Sequence, residues 1–109
     1  MKHLVASLEK LKEKKKMQVN VKYQDILLIY ENNHVYAIMD KCPHQGIPLA
    51  TGMVNGNVIK CKDHGLAISL DTGDVISERQ ITFLRLDRYS RSVKTYEVSI
   101  EEDNVFINL

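Results

Sequence analysis

Two short runs of the sequence carry residue types that bind metals. Cys42-Pro43-His44 and Cys61-Lys62-Asp63-His64 hold both cysteines of the chain and two of its four histidines, and 16 residues separate the runs. Each run supplies one thiolate and one imidazole, which are ligands for zinc and for iron–sulfur clusters. We therefore predict a single metal centre bound by Cys42, His44, Cys61 and His64.

The ligand types alone leave two kinds of centre open. Zinc accepts two thiolates and two imidazoles, but structural zinc sites usually place like ligands together. Here each run carries one ligand of each kind. In a 2Fe–2S centre, one loop can give one residue to each iron, so that both cysteines hold one iron and both histidines the other. The alternation favours the cluster and does not forbid zinc.

Length and composition bound the class of protein. The chain has 109 residues, which predicts one domain over 1–109, and its net charge of +1 provides no global field for a nucleic acid. No apolar stretch approaches the roughly 20 residues of a membrane span, and the N-terminus lacks the apolar segment of a signal peptide. We expect a cytoplasmic protein without nucleic-acid or membrane partners.

The hydrophobic pattern predicts an all-β protein built from short antiparallel strands. Residues 7–11 have a capping serine and apolar residues at helical spacing, which predicts one helical turn. The lysines that follow are expected in a solvated loop, with a docking patch for an acidic partner as the alternative. Alternating or β-rich runs predict strands at 19–23, 26–30, 35–39, 93–100 and 105–107, with turns at 32–33, 55–56, 70–74 and 102–104.

The order of these elements should bring the two Cys/His runs together. Each run follows a predicted strand, one ending at Met39 and the other spanning 58–60. Asn55-Gly56, the strongest hairpin signal of the chain, lies between the runs. A hairpin there would fold the two loops side by side, with all four ligands facing one pocket at the tip of a small sheet.

The paired motif resembles that of the Rieske iron–sulfur proteins. Residues 42–49 are similar to the first cluster loop of that family, and residues 61–65 are similar to the second. Segments outside the loops also resemble soluble Rieske ferredoxins, at 4–16, 35–37, 71–73 and 96–98. The resemblance implies a Rieske-like antiparallel β-sandwich, with a small cluster-binding subdomain formed by loops 42–49 and 61–68 at the tip of a sheet.

The resemblance also implies a role for each ligand. One Rieske-type 2Fe–2S cluster per chain is expected, with the two cysteines on the inner iron and the two histidines on the outer iron. Gly46 and Gly65 would let the backbone pass close to the cluster and direct N–H groups at its sulfurs.

Residues around the ligands predict a low reduction potential within the family. High-potential members carry two more cysteines in a disulfide, and Ser and Tyr hydroxyls that donate to the cluster side. This chain has no further cysteine, and Leu66 and Ile68 stand where the hydroxyl donors are expected. Fewer donors stabilise the reduced cluster less, so we expect the low end of the Rieske range of about −150 to +300 mV.

One region departs from the family pattern. Rieske proteins usually cover the cluster with a third loop that contains proline, but 76–91 has no proline and is longer and more basic than expected. Its arginines are expected on a solvated edge strand, with a docking face as the alternative. The four arginines are Arg79, Arg85, Arg88 and Arg91.

The two histidines outside the Cys/His runs, His3 and His34, have no neighbours that resemble ligands and are expected at the surface.

The resemblance implies an electron carrier rather than an enzyme, and no catalytic residue is predicted. A soluble Rieske ferredoxin would take single electrons from a flavin-dependent reductase and pass them to a terminal oxygenase or a similar oxidoreductase. We expect a monomer whose partners are redox proteins. Two alternatives remain open: a small Rieske subunit of a larger reductase, such as a nitrite reductase, and a structural zinc module that binds a protein partner.

Overall fold

Nine short strands make up most of the described part of the chain, so the all-β prediction is confirmed. The computed structural model describes residues 1–41, 48–61, 67–76 and 92–109. Its elements are β1 (Lys2–Ser7), α1 (Leu8–Lys14), β2 (Lys16–Val21), β3 (Gln24–Glu31), β4 (His34–Met39), a 3-10 helix (Leu49–Thr51), β5 (Met53–Asn55), β6 (Val58–Lys60), β7 (Ala67–Ser69), β8 (Glu97–Glu101) and β9 (Asn104–Asn108).

The strands form three antiparallel sheets of three strands each within these ranges. Their orders are β1-β9-β8, β2-β3-β4 and β5-β6-β7. Asn32 and Asn33 turn β3 into β4 with φ values of 50° and 65°. Positive φ at both central positions matches the twist of a hairpin, and asparagine tolerates it better than most residues. The predicted turn at 32–33 is therefore confirmed.

Strand β3 lies at the centre of the fold and is buried on both faces. Ile26 and Leu28 belong to one hydrophobic cluster, which includes residues of α1, β4 and β9. Leu27 and Ile29 belong to a second cluster, which includes residues of β4, β6 and β7. Successive side chains of a strand point to opposite faces, so four consecutive apolar residues serve two cores.

The lysine-rich segment is a helix and a strand rather than the predicted solvated loop. Helix α1 begins after Ser7, whose Oγ accepts a hydrogen bond from the backbone N–H of Lys10 at 3.2 Å, as the predicted capping residue should. The helix continues past the predicted single turn to Lys14 because Leu11 is fully buried against the core. Lys15 ends the helix, and Lys16 begins β2.

Other predicted strand boundaries shift because of local turns and pairing between distant segments. The strand predicted at 19–23 ends at Val21, since Tyr23 lies in the turn into β3 with φ 67°. The strand predicted at 93–100 becomes β8 only at Glu97; before it, Thr95 forms an isolated bridge with Ile38. The hairpin predicted at 55–56 is present, and its two turn residues are Gly56 and Asn57.

The two histidines outside the Cys/His runs differ in environment. His34 is exposed, as expected. His3 is half-buried, and its Nε2 is buried without a hydrogen-bond partner within the described ranges, so its expected surface position is wrong. The cause is strand β1, which the sequence pattern did not predict. It pairs His3 with the fully buried Ile107 of the last strand.

Tyr96 gives the fold an alkaline pH dependence. Burial raises the pKa of Tyr96 above its ordinary value of 10.0, and its hydroxyl donates to Gln24 Oε1 at 2.8 Å. The raised pKa means that folding favours the protonated phenol. Its contribution to the free energy of unfolding is therefore complete below pH 10.0 and is lost as pH rises from there through the raised pKa.

We expect Tyr96→Phe to flatten this alkaline loss of stability. At pH 8 the variant should lose about 1 kcal/mol with the hydrogen bond, and the difference from wild type should shrink above pH 10. Denaturant unfolding at both pH values measures this. Tyr23→Phe is the matched control, because the Tyr23 side chain is fully exposed in the turn between β2 and β3. An unchanged alkaline slope in Tyr96→Phe contradicts the assignment to Tyr96.

Candidate metal centre

Cys61 is the predicted ligand that lies within the described residues. It follows β6 directly, is 2% exposed, and packs in the second hydrophobic cluster with Leu49 and Ile59. A thiol in apolar surroundings at the start of a predicted cluster loop is shielded from water. Three predicted ligands, Cys42, His44 and His64, lie outside the described residues, as do Gly46, Gly65, Leu66 and the four arginines of 77–91.

A hairpin holds the two ends of the second predicted loop opposite each other. Lys60 pairs with Ala67, and Ile59 pairs with Ile68, in the antiparallel register of β6 and β7. Residues directly opposite in such a pair lie about 4.5–5.5 Å apart between Cα atoms. Residues 67 and 68 of the predicted loop 61–68 therefore belong to a strand, and Ile68 is fully buried in the cluster that contains Cys61.

Asp40 joins the two ends of the first predicted loop. This residue stands two positions before Cys42 and is 7% exposed. Its Oδ1 accepts a hydrogen bond from the N–H of Ala50 at 3.0 Å, and its Oδ2 accepts one from Gln18 Nε2 at 2.8 Å. Hydrogen bonds to an ionised carboxylate are stronger than neutral ones and offset its burial. The loop from 41 to 49 is thus closed by a charged group.

The sequence analysis did not identify Asp40. A carboxylate directly after a buried strand and just before a predicted ligand was the available signal. Its partners, Gln18 and Ala50, lie 22 and 10 residues away along the chain, so the pattern could not name them.

Gly52 brings the end of the first loop against the start of the second. A Cβ atom at this position would clash with the carbonyl oxygen of Lys60, the residue before Cys61. No side chain fits there, so the two backbones meet directly. The hairpin of β5 and β6 pairs Met53 with Lys60 and produces this contact. It thereby places these two loop ends side by side.

Lys16 also contacts this junction, although it was expected in a solvated loop. Its Nζ donates to the carbonyl oxygen of Ala50 at 2.7 Å and to that of Gly52 at 2.6 Å. The side chain is half-buried at the first position of β2. The sequence holds no local signal for this role, since Lys16 is the last of several lysines.

Comparison with known proteins decides the family. The sequence profile of the Rieske [2Fe-2S] domain matches residues 1–97. The chain belongs to this Rieske family. Membership implies a Rieske-type 2Fe–2S cluster, the cofactor that the sequence predicted. The described residues fit such a group, because Cys61 offers a buried sulfur ligand at the junction of the two loop ends.

Similar proteins share either the sequence or the fold of this Rieske domain. Human apoptosis-inducing factor 3 is 28% identical over 103 residues, which are 94% of this chain and 16% of that protein. The chain therefore spans about one sixth of the length of the curated relatives that it matches.

Two solved structures show the same fold. The ferredoxin of carbazole 1,9a-dioxygenase from Nocardioides aromaticivorans IC177 has a TM-score of 0.82 and 21% identity, covering 98% of this chain and 96% of that one. A putative nitrite reductase NADPH small subunit has a TM-score of 0.78 and 18% identity, covering 100% and 99%. These likenesses confirm the predicted Rieske-like antiparallel fold.

A separate finding concerns membranes. Within the described ranges, no helix combines the length and the apolar character that crossing a bilayer requires.

Proposed function

We propose that this Rieske domain carries single electrons between redox proteins, with its cluster held by Cys42, His44, Cys61 and His64. The observation that carries the proposal is the buried Cys61 at the junction where Gly52 meets the residue before it. This junction lies at the edge of both predicted cluster loops, 42–49 and 61–68. The sequence supplies the other three ligands within those loops.

The described residues would prepare the site for electron transfer. When bound, a Rieske-type cluster accepts and releases one electron. The β6–β7 hairpin and Asp40 hold the loop ends in one geometry, which limits rearrangement when the charge of the site changes. The apolar packing around Cys61 keeps water from its sulfur and strengthens electrostatic interactions there.

The proposed ligands can be tested by spectroscopy. Protein purified without oxygen and reduced with dithionite should give a rhombic EPR signal, with an average g value below that of all-cysteine 2Fe–2S ferredoxins. Ala substitutions of His44 and His64, and Ser substitutions of Cys42 and Cys61, should abolish it. His34→Ala is the matched control, because His34 is exposed on β4 and outside the Cys/His runs.

A different spectrum would contradict the proposal. A colourless protein with one zinc per chain and no EPR signal supports the structural zinc module instead. A Rieske signal that survives in His44→Ala or His64→Ala shows that the ligand assignment is wrong.

We further propose the direction of electron flow. A flavin-dependent reductase would reduce the domain, and a terminal oxygenase or similar oxidoreductase would oxidise it; the domain itself would be a monomeric cytoplasmic carrier and not an enzyme. The support is a fold likeness to the ferredoxin of a dioxygenase that covers 98% of this chain and 96% of that ferredoxin. The likeness to a nitrite reductase small subunit supports the second candidate, a subunit of a larger reductase.

Kinetics with model partners should separate these two roles. We expect rapid bleaching of the oxidised domain by NADH and a flavin-dependent ferredoxin reductase, followed by rapid reoxidation by a Rieske oxygenase. Size-exclusion chromatography should give a single chain that releases each partner. A stable complex with a nitrite reductase large subunit, without turnover by the oxygenase, would favour the subunit role. Each reaction is followed in the visible spectrum by stopped flow.

The reduction potential tests the surroundings of the cluster. We expect the low end of the Rieske range, which spans about −150 to +300 mV. The chain has only two cysteines, so no disulfide can link the loops if both bind the cluster. Ile68 packs in the core where a hydroxyl donor is expected in high-potential members. Protein-film voltammetry measures the midpoint, and a value above about +100 mV would contradict this prediction.

A further inference from the structure

Side chains of opposite charge form hydrogen bonds with the backbone of residues 50–52. Asp40 accepts a hydrogen bond from the N–H of Ala50 at 3.0 Å, and Lys16 donates to the carbonyl oxygen of Ala50 at 2.7 Å. Each charge meets the end of the peptide dipole that it stabilises, so both polar groups of Ala50 are satisfied by ionic partners. The Nζ of Lys16 also donates a hydrogen bond to the carbonyl oxygen of Gly52 at 2.6 Å.

Lys16 and Asp40 act on this segment separately. Within the described ranges the one ion pair joins Lys2 and Glu101, so Lys16 and Asp40 are not an ion pair with each other. Their charges meet the backbone of 50–52 instead. Desolvating a half-buried ammonium and a buried carboxylate is costly. The charge-assisted hydrogen bonds to the backbone of residues 50–52 offset part of that cost, and the hydrogen bond from Gln18 Nε2 to Asp40 Oδ2 offsets another part.

The segment 50–52 lies against the described ends of both predicted cluster loops. Asp40 precedes the first loop, and Ala50 follows it. Gly52 packs against the carbonyl of Lys60, immediately before the second loop begins at Cys61. Leu49, which precedes the segment, is fully buried in the same cluster as Cys61. A displacement of the segment would therefore move the ends of both loops relative to each other.

We propose that Lys16 and Asp40 are positioning residues for the metal centre, and we call them the Lys16–Asp40 clamp. The clamp fixes residues 50–52 so that the two loops present their ligands in one geometry, and it slows the opening that releases the cluster. The proposal rests on the function proposed above, because it requires the cluster to lie between loops 42–49 and 61–68.

The first test compares Lys16→Met with Lys14→Met. The substitution is the same in both variants, but Lys14 is exposed in α1, and among the described residues it makes no hydrogen bond to residues 50–52. Two hydrogen bonds from a charged donor are lost only in Lys16→Met, so we expect about tenfold faster cluster loss to a chelator. The visible absorbance follows the loss. Lys16→Arg, which keeps the charge and the donors, should return the rate towards wild type.

Two further variants separate the charge of Asp40 from its hydrogen bonds. Asp40→Asn keeps an acceptor for the N–H of Ala50 and should lose the cluster only a few-fold faster than wild type. Asp40→Ala leaves that N–H without its partner and should lose the cluster about tenfold faster. The initial EPR spectrum of Lys16→Met and Asp40→Asn should match wild type, because the clamp residues are not ligands.

A measurement without the cluster distinguishes positioning from a general loss of stability. Hydrogen exchange of cluster-free protein should show faster exchange of a peptide spanning 48–53 in Lys16→Met than in Lys14→Met, while β3 stays protected in both. Equal acceleration throughout the protein would mean that Lys16 supports overall stability, and the clamp would be rejected.

The outcomes for the two proposals are separable. If wild type carries no Rieske cluster, the proposed function and the clamp both fail. If wild type carries the cluster but Lys16→Met and Lys14→Met release it at the same rate, only the clamp fails. Faster release confined to Lys16→Met, with rescue by arginine and local exchange at 48–53, supports it.

Discussion

The burial of β3 on both faces is the constraint on which the rest of the structure depends. Ile26 and Leu28 complete one hydrophobic cluster, and Leu27 and Ile29 complete the other. A shift of one residue in the register of β3 would exchange these two sets. The strand is held in register by β2 on one side and β4 on the other. The hydrophobic cluster around Cys61 and the cluster that includes β9 therefore both pack against the same central strand.

The described ends of the two predicted cluster loops are tied to that central sheet. The end of β4 places Asp40 next to the first loop, and the start of β2 places Lys16 beside the segment that follows the loop. Both strands are neighbours of β3. The third sheet contributes the start of the second loop, where the backbone of Gly52 meets that of Lys60. Charged contacts and one close backbone approach thus join the central sheet to the loop ends.

The sequence predicted the parts of the site that depend on local chemistry. Ligand type and spacing were enough to predict a mixed cysteine and histidine centre, which stays a prediction. They also gave the Rieske resemblance that the family match confirms. Local patterns also predicted most strands, the turn at 32–33 and the capping role of Ser7. The solvated loop predicted for the lysines of 12–16 was wrong. Local charge does not reveal that Leu11 is buried against the core or that Lys16 donates to backbone carbonyls.

Local spacing and side-chain chemistry by themselves determined which residues can bind iron, because a thiolate or an imidazole has that capacity wherever the chain places it. Only the tertiary structure decided what holds the ends of the loops. The pairing of β1 with β9 left His3 half-buried. Ala50 is contacted by Lys16, which lies 34 positions away along the chain, and by Asp40, which lies 10 positions away. Such contacts follow from which strands become neighbours, and that depends on burying apolar faces from the whole chain together.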